Sequence, residues 1–137
     1  MQTDLRKVLS VSGQRGLYMY VAQARNGVIA ESLAEKKRVV FSGTSRISTL
    51  ADIAIFTSEG ELRLAEVFTA IKEALGDAEA PSSKASESEI VALFTKAIPD
   101  YDSDRFYLSH MRKVLDWYSE IVKYASLDFV KEDEEEA

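Results

Sequence analysis

Apolar and polar residues alternate with a period of two along residues 17–57, which predicts short β-strands. Asn26-Gly27 interrupts the alternation, and because both residues tolerate positive φ this pair predicts a hairpin turn. The strand segments are rich in β-branched and aromatic residues, as pleated surfaces favour. The predicted strands are Leu17–Ala22, Gly27–Leu33, Arg38–Ser42, Arg46–Ser48 and Ile53–Thr57.

Strands this short do not suit a large open sheet. Closing them into a small antiparallel barrel removes their exposed edges and fills the interior with side chains. Ser48–Asp52 is typical of one helical turn between the last two strands, an arrangement that recurs in SH3-like barrels. We therefore predict an SH3-like antiparallel β-barrel; the alternative is a small antiparallel sheet packed on the helix that follows.

After the strands the apolar spacing changes to that of α-helices. One apolar stripe runs from Leu64 to Leu75 and predicts a first helix. Ser86 opens a capping box for a second helix, which Pro99 stops. Ser109 is a candidate N-cap for a third helix that ends near Ser126. The fold class is therefore α+β, with a barrel and a helix followed by a C-terminal helical hairpin.

Charge also divides the chain, at the end of the first predicted helix. Residues 1–75 carry a net charge of +2 and residues 76–137 a net charge of −8. We predict a barrel plus helix over 1–76, a linker over 77–85, a helical hairpin domain over 86–130 and a disordered acidic tail over 131–137.

Composition excludes several classes of function. The 137 residues contain no cysteine, which excludes disulfides and thiolate chemistry, and one histidine, which excludes a site that needs two imidazoles. We expect no metal and no cofactor. No run of about 18 apolar residues is present, and the first residues lack the pattern of a secretory signal. We expect a cytoplasmic protein without a membrane span.

Three local patterns suggest chemistry, and each has a simpler interpretation. Asp100–Asp104 alternates carboxylates like a calcium loop, but Arg105 and Met111 stand where that loop needs glycine and glutamate, so a polar connection is favoured. His110 fits a solvent-facing or capping role better than catalysis. Gly13–Gly16 is interpreted as a tight turn because it lacks the residues of a phosphate-binding loop. We expect no enzymatic activity.

The barrel half nevertheless combines basic and aromatic residues. A surface of this kind can dock a protein segment, which is the function we predict, namely a non-catalytic protein-interaction module. The alternative is nucleic-acid binding, by base stacking beside basic side chains. Trp117 is a candidate interface residue, and self-association into a homo-oligomer is an open alternative. The candidate binding surface is Arg15, Tyr18, Tyr20, Arg25, Lys36, Lys37, Arg38 and Arg46.

Several stretches also show a family resemblance. They are Leu9–Tyr18, Arg25–Leu33, Leu50–Thr57, Ile98–Asp102 and Trp117-Tyr118. Together they resemble an uncharacterised family of small Bacteroidetes proteins, in which an N-terminal domain of unknown function precedes a C-terminal helical domain with an acidic tail. The resemblance implies a two-part chain and assigns no catalytic residue.

Overall fold

The computed structural model of the protein describes residues 3–14 and 16–129. The described residues form a mixed α+β structure, as predicted, and the acidic tail predicted over 131–137 lies outside them. The strands are β1 (Val8–Val11), β2 (Tyr18–Ala24), β3 (Gly27–Ser32), β4 (Arg38–Ser42), β5 (Ile47–Thr49), β6 (Ala54–Thr57) and β7 (Gly60–Arg63). The helices are α1 (Leu64–Leu75), α2 (Glu87–Ala97) and α3 (Leu108–Tyr124), with one 3₁₀ turn at Leu50–Asp52.

Strands β1 to β5 form one antiparallel sheet in the spatial order β4-β3-β2-β1-β5. β4 and β5 are its edges and do not pair with each other, so the predicted closed barrel is wrong. The predicted last strand corresponds to β6, which pairs with β7 in a separate two-stranded sheet. The 3₁₀ turn forms where a helical turn was predicted, and the Thr49 hydroxyl donates to Asp52 Oδ2 at 2.8 Å.

The β2–β3 hairpin forms where it was predicted, with its turn one residue earlier. The loop is Arg25-Asn26, and neither residue has positive φ. Gly27 instead opens β3, where a Cβ would lie 1.8 Å from the carbonyl oxygen of Phe41. The glycine is therefore needed for close approach of β4, and its predicted role as a positive-φ turn residue is wrong.

The three helices form where the apolar spacing predicts them. On α1 the buried stripe is Leu64, Val67, Phe68 and Ile71, and α1 packs against α2 and β7. The Ser86 hydroxyl accepts a hydrogen bond from the Glu89 N–H at 3.3 Å, as a capping box requires. None of the helices in the described part of the chain has the length and apolarity that a bilayer span requires.

The described residues divide into two compact units. The first unit comprises 3–52 (without 15) and 120–129, and the second comprises 53–119. This division ends the first part of the chain after the 3₁₀ turn, whereas the segment predicted as a linker, 77–85, lies within the second unit.

A charged turn precedes β1 in the first unit. The Asp4 carboxylate accepts hydrogen bonds from the backbone N–H of Arg6 at 3.0 Å and from its guanidinium, Nε and Nη2, at 2.9 Å each. The Asp4 side chain is only 16% exposed. The hydrogen bonds from Arg6 hold the pKa of the Asp4 carboxyl below its usual value, because they favour the ionised form.

Asp4→Asn is expected to destabilise the first unit at pH 7 and to have a smaller effect in acid. A carboxyl whose pKa is lowered by folding contributes stability above its unfolded pKa of about 3.9, and that contribution is lost as the pH falls through the folded value. We expect a loss of about 1.5–3 kcal/mol at pH 7, as for hydrogen bonds to a charged group. Urea unfolding at pH 7 and pH 2 measures both values.

Asp77→Asn is the matched control, since Asp77 is an exposed carboxyl in the second unit. We expect it to unfold like the native chain at both pH values. An Asp4→Asn variant that loses equal stability at pH 7 and pH 2 would contradict the role given to the Asp4 carboxylate.

Candidate functional site

The predicted surface residues are distributed over several places in the first unit. Arg15 lies outside the described residues. Tyr18 packs against the buried sheet cluster, with its ring edge-on to Phe41 at a centroid distance of 4.9 Å. Tyr20 is 38% exposed on the same strand. The two tyrosines therefore do not form a pair of exposed stacking rings.

The basic residues lie at both ends of the sheet. Arg25 is in the loop after β2, whereas Lys36 and Lys37 are in the loop after β3, and successive hairpin loops of antiparallel strands lie at opposite ends. Arg38 is exposed on the edge strand β4, with its Nε 3.7 Å from the Glu31 carboxylate.

Arg46 immediately precedes β5. Its carbonyl accepts from the Ser12 N–H at 2.9 Å, next to the pairing of Val11 with Ile47. Since Leu9 pairs with Tyr18 at the start of β2, Arg46 lies at the sheet end that carries Lys36 and Lys37. The structure thus brings three of the predicted cations to one end and leaves Arg25 at the other.

The predicted Gly13–Gly16 turn lies in the described residues except at Arg15. The sequence favours a tight turn at this place over a phosphate-binding loop. Gln14 N–H donates to Val11 O at 3.0 Å, which closes a turn. The Leu17 N–H donates to Glu120 Oε2 at 2.5 Å. A side-chain carboxylate therefore takes the amide that follows the turn.

The aspartates of Asp100–Asp104 are likewise used within the protein. Asp100 Oδ2 accepts from the Ser58 hydroxyl at 2.9 Å, and Asp102 Oδ2 lies 3.3 Å from Arg105 Nε. This arrangement is a polar connection, as the sequence predicts. No group of three potential metal ligands was found among residues 3–14 and 16–129.

The second unit contains a groove of about 200 Å³. One wall is β6 with the residue before it, and the other is the N-terminal part of α3. Most of its surface is apolar, and no acidic side chain lines it. The lining residues are Ile53, Ala54, Ile55, Phe56, Arg105, Phe106, His110, Lys113, Val114 and Trp117.

The helical wall follows from residue spacing. His110, Lys113, Val114 and Trp117 stand at i, i+3, i+4 and i+7, which places them on one face of α3. Trp117 is half-buried in this wall, whereas Tyr118 is 4% exposed and packs near Phe68 at 6.1 Å between ring centroids. Burial raises the pKa of the Tyr118 hydroxyl. The rings of Trp117 and Tyr118 therefore lie on different faces of α3, because adjacent residues of a helix point in different directions.

The strand wall has an incompletely paired edge. The hairpin register pairs Thr57 with Gly60 and Ile55 with Leu62, so the backbone groups of Ala54 and Phe56 point to the outer edge of β6. Phe56 O accepts from the Asp102 N–H at 2.8 Å. Ala54 has no backbone partner on that edge in the described part of the chain. Its N–H and C=O are available to an added strand.

His110 caps the helix that forms the other wall. Its Nδ1 accepts from the backbone N–H of Tyr107 at 3.1 Å, and its ring stacks against Phe106 and Tyr107. The capping role predicted for His110 is confirmed, but Ser109 is not the N-cap, because α3 already begins at Leu108. With Nδ1 accepting, the neutral imidazole carries its proton on Nε2.

Arg105 also lines the groove. Its guanidinium lies over the Phe56 ring at 4.7 Å from the centroid while its Nε pairs with Asp102. Lys113 is exposed on the helical wall. The side chains of His110, Lys113 and Trp117 supply N–H donors above an apolar floor, which suits an apolar group beside a carboxylate.

Comparison with known proteins places the chain among uncharacterised relatives. Residues 5–50 match the model of a domain of unknown function, DUF5606, and residues 53–121 match a second, DUF6852. The boundary between these two matches lies next to residue 52, the last residue before the second compact unit begins. No curated protein matches. A solution NMR structure of a Bacteroides vulgatus protein is 36% identical, with a TM-score of 0.72, over 88% of this chain and 87% of that one.

Proposed function

We propose that this chain, which belongs to the DUF6852 family, is a non-catalytic protein-interaction module whose groove takes an extended segment of a partner protein. The observation that carries the proposal is the composition of the groove walls. An unpaired strand edge at Ala54 faces a helical wall that supplies N–H donors and Trp117. Added strands bind through such edges, and pockets beside them select side chains.

The segment that fits carries one large apolar side chain between acidic residues. A volume of about 200 Å³ accommodates a single large side chain. No acidic side chain lines the groove. Arg105 is paired with Asp102, so Lys113 is the cation that acidic neighbours of the apolar residue complement. His110 supports the non-catalytic part of the proposal, because its Nδ1 is already used by the helix cap.

The nucleic-acid alternative has less support. It needs exposed aromatic rings beside a continuous basic stripe. Tyr18 packs in the sheet cluster, and Arg25 lies at the opposite end of the sheet from Lys36.

We also propose that the five-stranded sheet is curled in the manner of an SH3-like barrel that stays open between its edges. Ser42 ends β4 at one end of the sheet, and Ile47 starts β5 at the other end of the far edge. The chain between them reaches at most about 18 Å, whereas four strand spacings of a flat sheet alone measure about 19 Å. Phe41 and Ile47 pack in one cluster, which supports the curl.

Binding can be tested with the fluorescence of Trp117, the only tryptophan of the chain. The probe is the peptide acetyl-Glu-Phe-Glu-amide. We expect it to shift the Trp117 emission in a saturable way, and acetyl-Lys-Phe-Lys-amide or acetyl-Glu-Ala-Glu-amide to bind at least about tenfold more weakly, a difference of about 1.4 kcal/mol. Affinity for the acidic peptide should fall as salt is added, since salt screens exposed charges.

Lys113→Glu is the matching variant, and we expect it to weaken binding of the acidic peptide by about tenfold. Lys96→Glu is its control, because Lys96 is an exposed lysine of α2 that does not line the groove. Equal affinity for all three peptides, or equal loss in both variants, would refute the groove as the binding site.

A further inference from the structure

A second exposed strand lies in the first unit and is independent of the groove. β4 is an edge of the five-stranded sheet, paired on one side only with β3. Val39 is 38% exposed and Val40 is 64% exposed. Phe41, the next residue of β4, is 7% exposed because it packs in the sheet cluster. An accessible edge with exposed β-branched residues is a template for pairing with another chain.

The register shows which backbone groups face outward. Ser32 N–H donates to Lys37 O, and Gly43 N–H donates to Asn26 O, at the two ends of the β3–β4 ladder. Hydrogen-bonded pairs alternate in an antiparallel ladder, so Val39 and Phe41 also bond to β3. The N–H and C=O groups of Arg38 and Val40 and the N–H of Ser42 therefore point away from the sheet, whereas the Ser42 C=O accepts from the Ser45 N–H at 3.0 Å.

We propose that β4 pairs with β4 of a second copy of this chain, antiparallel and about a two-fold axis at Val40. In this register Val40 pairs with the partner's Val40, and Arg38 pairs with the partner's Ser42. The two Val40 residues then exchange two hydrogen bonds, and each Ser42 N–H donates to the C=O of the partner's Arg38. An isologous contact of this type is self-complementary and closes as a dimer.

The side chains agree with this register. Val39 faces the partner's Phe41, and Val40 continues an apolar row that already contains Ala22 and Ile29. Arg38 lies beside the partner's Ser42, so no two cations stand opposite each other, and Glu31 lies 3.7 Å from Arg38 within each copy. The charge pattern is therefore compatible with a second copy, and exposed Val40 is covered by it.

The contact is small, which sets the expected affinity. Only the five residues of β4 from each copy form it. The surface that they bury is smaller than the standard interface of about 1,600 Å². We expect a dimer with a dissociation constant on the order of 100 μM, which corresponds to about 5.5 kcal/mol.

Hydrogen exchange and sedimentation of the full chain test the proposal together. As concentration rises through the dissociation constant, we expect the mass to rise from 15.3 kDa towards twice that value. The amides of Val40 and Ser42 should become protected over the same range, while those of Val39 and Phe41 are protected throughout.

Val40→Pro removes one outward N–H without touching the β3 ladder, and edge strands tolerate proline at such positions. We expect it to weaken dimerisation at least tenfold, and Val40→Thr, which keeps the N–H, to change it less than about threefold. A chain that stays at 15.3 kDa with concentration-independent exchange overturns the proposal. A dimer that leaves the amides of Val40 and Ser42 unprotected overturns it equally, even if the proline variant does not fold.

Discussion

Phe94→Ala is expected to lower the free energy of unfolding of the second unit by about 3–5 kcal/mol. Phe94 is fully buried on α2, and its ring meets Phe106 edge-on at 5.4 Å between centroids. Phe106 meets Tyr101 at 5.8 Å in the same way. Alanine at position 94 leaves a cavity beside this row of rings and removes the support of Phe106, which also lines the groove.

Urea unfolding followed by Trp117 fluorescence measures this loss, because Trp117 belongs to the same unit. The control is Thr95→Ala, an exposed position of α2, for which we expect a change of less than about 0.5 kcal/mol. A Phe94→Ala variant within 1 kcal/mol of the native chain would show that the row of rings does not support the unit.

Gly27→Ala is the second large effect, with an expected loss of about 3 kcal/mol, at the upper end for overpacking. The new Cβ would lie 1.8 Å from Phe41 O and 2.8 Å from Phe41 C, both backbone atoms that a rotamer change cannot move. β4 must therefore shift away from β3 at this end. Amide exchange of Phe41 and thermal unfolding followed by circular dichroism report the shift and the lost stability.

Gly43→Ala is the control for a nearby glycine without positive φ. Its Cβ would meet Asn26 O at 3.3 Å, which a small movement of the loop relieves. We expect a change of less than about 1 kcal/mol, since alanine also restricts the unfolded chain. Equal losses at both glycines would contradict a specific contact between Gly27 and β4.

The helices could be predicted from sequence because their signals are local. The stripe from Leu64 to Leu75 and the Ser86 cap each lie within a few turns, and the structure contains both as predicted. The start of α3 was misplaced because His110 provides its cap from inside the first turn, a role more often taken by Glu or Gln.

The sheet was harder because strand partners are not local. Val8–Val11 was not predicted as a strand, since a run of four residues carries no clear period, yet it lies between β2 and β5. Ile53–Thr57 has strand composition, but nothing in it specifies a partner, and it pairs with the charged segment Gly60–Arg63. The barrel prediction was wrong because it added this strand to the sheet.

The groove could be predicted only in part. The spacing of His110, Lys113 and Trp117 marks one helical face and would have identified that wall. The opposite wall depends on the register of β6 and on its contact with Asp102, which come from tertiary structure. The sequence predicts Trp117 as an interface residue, but no sequence signal places Trp117 beside β6.

The most direct measurement is a set of nuclear Overhauser effects between acetyl-Glu-Phe-Glu-amide and the labelled full chain. The proposed function predicts cross-peaks from the peptide phenyl ring to the Val114 methyl groups and the Trp117 indole, together with a cross-strand contact to the Ala54 Hα. Saturable binding with cross-peaks only to residues outside the groove, or no binding at millimolar peptide, would contradict it.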